Sequence, residues 1–521
     1  MGNNRYSIHT FMFPFQWDYL SKDPKRNIAY NDRTRLSDFD RLFSANSCLK
    51  RKLFQVDDSA SKYSEYTYFY PFVRKALYHT NDDDFMRYYE LEEENGIYNI
   101  DYNSGESIRT FSLKLDSICL HVFDTGVGVL SFNISNYNYP DKEDILIIND
   151  YGRRIYPQYL SNEGSKKNQG VKGSFLADKI YGHLGDFSFE DNFEQYEDPI
   201  ENNACFLPPQ HIRNIFGYSI NEKIGDYGKD FVFRDEEERK KAIRIRQITD
   251  DRMFFLCYYN NSNIVNSLAK KSKDAASEIC YDFELDPFWY SFVHGDKGAP
   301  TVKEDRFQQN QILKCTYTRW LDYKSKDPDC DGTLFGITKD SFVCLGAWSE
   351  LEKHMVTMYY QMAVLCLIQR ASVLRFSYEI TQITHSIFNK KVDLSKQIKE
   401  IYENYIIFLN RIYFREVTSQ IQGIELYTMF QEAMNLEKEV KDLDNEIQEL
   451  FEYQNMQEQR RLNKIASLFL PITLITSFLG MNTFDDGLIP EPLRIPVNIA
   501  VILMMIYVFY MFFKDSFKRK K

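Results

Sequence analysis

Ala466, Leu470, Thr473 and Ser477 recur at intervals of four, three and four, which places two hydroxyls and two apolar groups on one helical face. A half-polar face of this kind is better covered by protein or water than by lipid. One helix encloses nothing. The face therefore serves either plain helix packing or, with several copies turned inward, the wall of a hydrated passage. Other chemistry-bearing residues are sparse. Arg153 and Arg154 carry the forked donors that grip a phosphate, although a salt bridge satisfies them equally. Gly126-Val127-Gly128 lacks the third glycine of a dinucleotide loop and reads as a hairpin turn. Asp327, Asp329, Asp331 and Gly332 imitate the start of a calcium loop, but Thr338 stands at the twelfth position and Pro328 intrudes. The eight histidines are scattered and no nucleophile–base pair stands out, so the chain reads as a non-enzyme.

The elements around the hydroxyl face come next. Two apolar segments, residues 465–481 and 497–513, lie at the short end of what crosses a bilayer as a helix. Arg460, Arg461 and Lys464 precede the first, and Lys514, Lys518, Arg519, Lys520 and Lys521 follow the second. The loop between them holds Arg494 against Asp485, Asp486 and Glu491, so the positive-inside rule puts both termini in the cytosol. A third apolar run, 355–368, is shorter and is followed by Arg370, Arg375 and Glu379; it predicts a buried helix.

Upstream, Leu426, Met429, Ala433, Leu436, Val440, Leu443, Ile447 and Leu450 form a strict heptad seam. It predicts one helix running from about Ile424 to Met481, with strongly acidic outer faces. That acidity is either an ordinary solvated surface or a field that concentrates cations near a pore mouth. Residues 349–388 and 392–414 predict a helical hairpin. Residues 117–133 predict two strands joined at Thr125-Gly126; 311–323 and 334–345 predict an antiparallel pair; 235–247 predicts a charged helix.

The net charge of -11 argues against a nucleic-acid surface. The nine cysteines include no CxxC and no spacing suited to zinc, and read as reduced thiols. The N-terminus lacks the apolar core of a signal peptide.

Phe478-Leu479-Gly480-Met481-Asn482, with Pro471 and Thr473 upstream and Ile489-Pro490-Glu491-Pro492-Leu493 downstream, resembles the pore helix and loop of the CorA family of divalent-cation transporters. The resemblance covers residues 350–521 well and the remainder in outline. It implies an α/β cytosolic funnel domain (1–350), a helical hairpin (351–423), a stalk helix (424–461), a pore-lining transmembrane helix (462–482), an external loop (483–496), a second transmembrane helix (497–513) and a basic cytosolic tail (514–521). The implied assembly is a homopentamer in the lipid bilayer of a bacterial-type inner membrane, multi-pass, with both termini cytosolic. By similarity, Asn482 carbonyls ring the outer mouth and hold hydrated Mg2+ by outer-sphere hydrogen bonds, Gly480 permits close approach and Met481 packs the loop base. Asp485, Asp486 and Glu491 raise the local cation concentration, Thr473 offers a hydroxyl ring, and Leu462 and Leu470 supply apolar constrictions.

Two departures matter. Gln459 and Asn463 interrupt an otherwise apolar approach, and the part before the stalk exceeds the family's funnel domain. The enlarged shape resembles the CorA-like proteins found beside type III CRISPR systems. That branch implies a defence channel opened by a nucleotide messenger, a conjugate of S-adenosylmethionine and AMP. The competing readings are a housekeeping Mg2+/Co2+ transporter closed by cytosolic Mg2+, and a membrane-anchored scaffold or enzyme.

Overall fold

The computed structural model describes residues 5–22, 29–32, 36–81, 85–105, 107–155, 175–193, 209–216, 220–223, 229–234, 241–248, 251–273, 279–298, 301–324, 332–389 and 394–480, together with helical positions 492–493, 495–496, 499–500, 502–503 and 506–507. The chain divides into two compact units. One comprises Met1–Glu379 with Glu403–Leu443, the other Ile380–Tyr402 with Asp444–Lys521.

The first unit is built on a 16-stranded mixed sheet. Its main path runs Thr316–Tyr317, Leu334–Ile337, Ser341–Gly346, Phe254–Asn260, Ser7–Lys22, Val127–Asn136, Ile108–Phe123, Ile97–Asn103, Lys179–Leu184 and Phe187–Asn192. Phe254–Asn260 and Ser341–Gly346 pair in parallel. Parallel neighbours need a long crossover, which here contains the helices Ser262–Leu268, Pro287–His294 and Arg306–Cys315. The strand Ser7–Lys22 changes partner midway. Ser7–Met12 pairs with Phe254–Tyr259, and Phe15–Ser21 with Lys241–Gln247. The change falls at Phe13-Pro14, where proline offers no N–H to a ladder.

Both faces of that strand are buried. Phe11, Phe13, Phe15 and Trp17 alternate onto one face, at 0% exposure, and pack in a core with Phe39 and Phe43 of the helix Leu36–Asn46 and Ile145 and Ile148 of the helix Lys142–Gly152. Each such side chain contributes roughly 1.5–3 kcal/mol on burial. The other face meets the helix Met358–Asn389: the Tyr360 hydroxyl donates to Ser131 Oγ at 3.0 Å, and Arg375 Nη1 to the Trp17 carbonyl at 2.9 Å. The apolar run 355–368 belongs to this layer and is buried almost throughout. The strands Ile108–Phe123 and Val127–Asn136 form the hairpin that residues 117–133 predict, with Gly126 in its turn at φ 78°. The predicted helix pair is present as Ser349–Val356, Met358–Asn389 and Leu394–Arg411.

Several expectations are corrected. Lys241–Gln247 is a strand rather than part of a charged helix; it alternates Ile243 and Ile245 with Arg244 and Arg246, a period of two. Residues 311–315 belong to the helix Arg306–Cys315, so only Thr316–Tyr317 pairs with Leu334–Ile337, which itself hairpins with Ser341–Gly346. The single long helix is two. Ile421–Ala433 ends at Met434, Asn435 turns left-handed at φ 54°, and Leu436–Gly480 restarts.

The largest correction concerns the membrane. Among the described residues no helix is long and apolar enough to cross one. Within the helix Leu436–Gly480, Lys464 stands inside the expected span, leaving residues 465–480 uncharged; that run is shorter than the roughly 20 residues a crossing needs. The two transmembrane helices, and with them the multi-pass placement in an inner membrane with cytosolic termini, do not stand on this finding. Of the expected second span, 497–513, only positions 499–500, 502–503 and 506–507 are described.

Candidate functional site

Residues of the predicted hydroxyl face lie on the helix Leu436–Gly480. Leu462 and Leu470 are 63% and 62% exposed, and Ala466, Thr473 and Ser477 are exposed with them. Thr473 Oγ1 donates back to the Phe469 carbonyl at 2.7 Å. Gly480 closes the helix. Met481, Asn482, Asp485, Asp486 and Glu491 lie outside the described residues, as does the calcium-like run Asp327–Asp331.

Arg153 and Arg154 are buried. Arg153 Nη2 donates to the Gly295 carbonyl at 2.5 Å, and the guanidinium lies over Phe255, 4.9 Å from its ring centre. It thereby places a cation at the C-terminal end of the helix Pro287–His294. Burial pulls its pKa down to about 10. Arg154 pairs with Asp150 at 2.8 Å and Asp251 at 3.7 Å. Both therefore hold the fold together at positions closed to solvent.

One Cys–His–Asn constellation escaped the sequence. His9 Nδ1 lies 2.7 Å from Asn149 Oδ1 and 3.6 Å from Cys257 Sγ, while Ser7 Oγ lies 2.8 Å from Nε2. All four residues are at 0% exposure. Burial lowers His9 to about 4 and raises the Cys257 thiol, so the thiolate–imidazolium pair a nucleophile needs is opposed at both ends. Among the described residues, no group of three or more His, Cys, Asp or Glu is placed to hold a metal ion.

A cleft of about 490 Å³ in the first unit gathers charges that are distant in sequence. Ser37, Asp40, Arg41 and Ser44 line one side, at helical spacing on Leu36–Asn46, whose opposite face buries Phe39 and Phe43. Arg51 and Arg87 line the other. Arg51 pairs across strands with Tyr89 in the register of Lys50–Arg51 with Met86–Glu92, and Arg87 shares Tyr89's face two residues earlier. Asp40 is the pivot. It accepts from Arg51 Nη1 at 2.8 Å, from the Tyr89 hydroxyl at 2.9 Å and from Ser44 Oγ at 3.3 Å. Arg51 also reaches His79 Nε2 through Nε at 3.0 Å. Arg87 is 6% exposed, and its Nη1 donates to the Met86 carbonyl at 3.1 Å. Arg41 lies 3.8 Å from Asp38 with a half-exposed side chain. Its sequence signal was slight: a polar face on a short amphipathic helix, and two arginines on strands too short or too mixed to mark.

Comparison with protein-family models, curated proteins and solved structures returns no match for this chain.

Proposed function

We propose that the chain is one subunit of an oligomeric, CorA-like conduit for hydrated divalent cations, Mg2+ foremost, opened by a small nucleotide-type ligand received by its N-terminal unit. The observation that carries the reading is the exposed stripe Leu462, Ala466, Leu470, Thr473 and Ser477, on a helix of 45 residues that ends at the Gly480-Met481-Asn482 motif. A lone chain leaves two leucines of that stripe in contact with solvent. Copies turned inward bury them against one another, at roughly 1.5–3 kcal/mol each, and leave the hydroxyls facing the axis. The N-terminal stretch of the same helix supports the reading through charge. Glu437, Glu439, Asp442, Asp444, Glu446 and Glu449 stand against Lys438 and Lys441, and multiplied by copies they draw cations toward the axis. On this reading Mg2+ is cargo, the outer-sphere partner is Asn482, and the chain transports rather than transforms.

The test has two parts. Light scattering on the purified full chain gives the subunit number. Mg2+ binding to the assembled protein is then measured by calorimetry for the wild type and for Asn482→Ala, with and without ligand. Assembly into a closed ring, ligand-dependent Mg2+ binding and weaker binding by Asn482→Ala are expected. A chain that stays monomeric at every concentration, or Asn482→Ala with unchanged affinity and ion preference, overturns the proposal.

A further inference from the structure

We propose that the packed junction of Arg153, Phe255 and the C-terminal end of the helix Pro287–His294 holds a small monovalent anion, chloride foremost. Arg153 is at 0% exposure, so every donor on its guanidinium has to be met inside the protein. Nη2 is met, by the Gly295 carbonyl at 2.5 Å with the His294 carbonyl behind it at 3.4 Å. Nε and Nη1 are buried and, among the described residues, have no hydrogen-bond partner. The residue that supplies the second carbonyl repeats the pattern: Nε2 of His294 is buried and unpartnered too.

The charge is left over as well. The ionised groups whose fields reach Arg153 are Asp150, Arg252, Arg154 and Asp340. Asp150 is engaged by Arg154 at 2.8 Å, and Asp340 lies 3.9 Å from Arg370. Asp251, whose carbonyl accepts from the Ile155 N–H, lies 3.3 Å from Arg252. Three carboxylates thus face three other arginines, and Arg153 is the cation without one. A buried charge that lacks its counter-ion is costly. The Phe255 ring and the carbonyls at the helix end soften that cost, but they bring no net charge and leave Nε and Nη1 unmet. His294 brings no negative charge either: burial, with the Arg153 charge behind it, lowers its pKa, so near neutral pH the ring is uncharged and its Nε2–H tautomer donates. An anion beside Arg153 answers the orphaned donors and the surplus cation together. The packing selects its size. A Cβ built on Gly295 would fall 2.5 Å from Phe255 Cε1 and 2.8 Å from Arg153 Nη2, which suits a single-atom ion and not a phosphoryl group.

This site is independent of the conduit reading above, and its test reads neither assembly nor Mg2+. The purified full chain is exchanged into gluconate buffer, and chloride is added at constant ionic strength while thermal unfolding is followed. Gluconate is too bulky for the junction, so the comparison separates occupancy from general screening. A saturable rise in the unfolding midpoint of about 3 °C or more is expected with chloride, because an ion that binds only the folded chain stabilises it. Bromide, of similar size and equal charge, does the same. The rise disappears in Arg153→Met, which keeps the stem and removes the charge, and part of it returns in Arg153→Lys. His294→Phe keeps a ring beside Tyr290 and removes Nε2; it shifts the chloride concentration at half effect upward about tenfold. Should Arg153→Met fail to fold, chloride NMR line broadening on the wild type and on His294→Phe reads the same site without it. Identical midpoints in chloride and gluconate at every concentration overturn the proposal, since water then meets the orphaned nitrogens. A chloride effect of equal size in Arg153→Met, or unchanged chloride affinity in His294→Phe, overturns it too, by placing the ion elsewhere.

Discussion

Arg375 Nη1 donates to the Gly126 carbonyl at 2.5 Å, and a Cβ built on Gly126 would fall 1.5 Å from that same nitrogen. The hairpin turn and the helix Met358–Asn389 are thereby locked at one point. The guanidinium cannot step aside, because Asp18, Glu379 and the Trp17 carbonyl hold its remaining donors at 3.2, 2.8 and 2.9 Å. Gly126→Ala therefore meets two penalties, a left-handed φ of 78° and a displaced buried cation. Together they cost about 3 kcal/mol or more. Urea unfolding of the two proteins checks this, and a change under about 0.5 kcal/mol, the range of ordinary surface substitutions, refutes it.

Asp18 is the acid side of that lock, with Arg244 at 2.7 Å and Arg375 at 3.2 Å. Burial alone pushes its carboxyl upward, but Arg375, Arg244 and Arg246 outweigh burial and hold it below the ordinary 3.8. A depressed carboxylate contributes stability that is present above its unfolded pKa and lost as pH falls below it. Stability should accordingly drop as pH falls below 3.8, toward the folded value. Asp18→Asn flattens that acid limb and, by leaving buried arginines without their carboxylate, costs roughly 3–5 kcal/mol at neutral pH. Unfolding free energies measured across pH decide it; an unchanged acid limb would mean another carboxylate governs.

Glu65 slopes the other way. It is buried, and burial pushes its carboxyl up to about 7, against the pull of Tyr78, Gln361 and Lys62. A folded pKa raised above the unfolded 4.5 contributes stability that is full below 4.5 and lost as pH rises through about 7. Glu65→Gln keeps the shape and removes the titration. Relative to the wild type, it gains on the order of 1–3 kcal/mol between acid and mildly alkaline conditions. Parallel pH profiles for the two proteins would rule this out.

Elements whose pattern and packing agree were legible in the sequence. The apolar run 355–368 and the Thr125-Gly126 turn lie where periodicity and turn chemistry put them, because burial and backbone preference point the same way there. Lys241–Gln247 was lost because its charges drew attention from its alternation; Arg244 is charged for Asp18, its partner on the adjacent strand but 226 residues away in sequence, which no local window contains. The heptad seam ran unbroken through Asn435 because a left-handed residue leaves the apolar spacing of its neighbours intact. The arginine cleft was illegible for a further reason. Arg41, Arg51 and Arg87 are brought to one cleft by the pairing of Arg51 with Tyr89 and the packing of Phe39 and Phe43 on Tyr89, and neither relation has a motif.

Asn435 itself offers a backbone test. Its N–H donates to the Glu432 carbonyl at 3.0 Å, its carbonyl accepts from Glu439 N at 3.1 Å, and its side chain reaches Glu439 Oε1 at 3.2 Å. It thus ends one helix and caps the next. Asn435→Gly suits the φ of 54° and stays within about 0.5 kcal/mol of the wild type. Asn435→Val, β-branched in a left-handed position and without the side-chain bond to Glu439, loses roughly 2 kcal/mol. Thermal denaturation of both variants separates backbone strain from the loss of the side-chain bond. Equal losses in the two would assign the effect to the side chain.

The cysteines report on whether the His9 constellation is chemically closed. Cys119, Cys257, Cys344 and Cys366 are buried, while Cys48, Cys280 and Cys315 are partly exposed. Burial raises the thiols of all four buried residues, Cys119 to about 12, and only the thiolate attacks an alkylating reagent. In native protein at mildly alkaline pH, iodoacetamide should modify Cys280, and the buried four should be modified only as the chain unfolds, with urea bringing them in together. Peptide mass spectrometry at timed intervals reads each site separately. Native labelling of Cys257 as fast as Cys280 would mean that the core around His9 opens to solvent. An imidazole 3.6 Å from a reachable thiol would then have to be reconsidered as a general base, and the chain as more than a conduit.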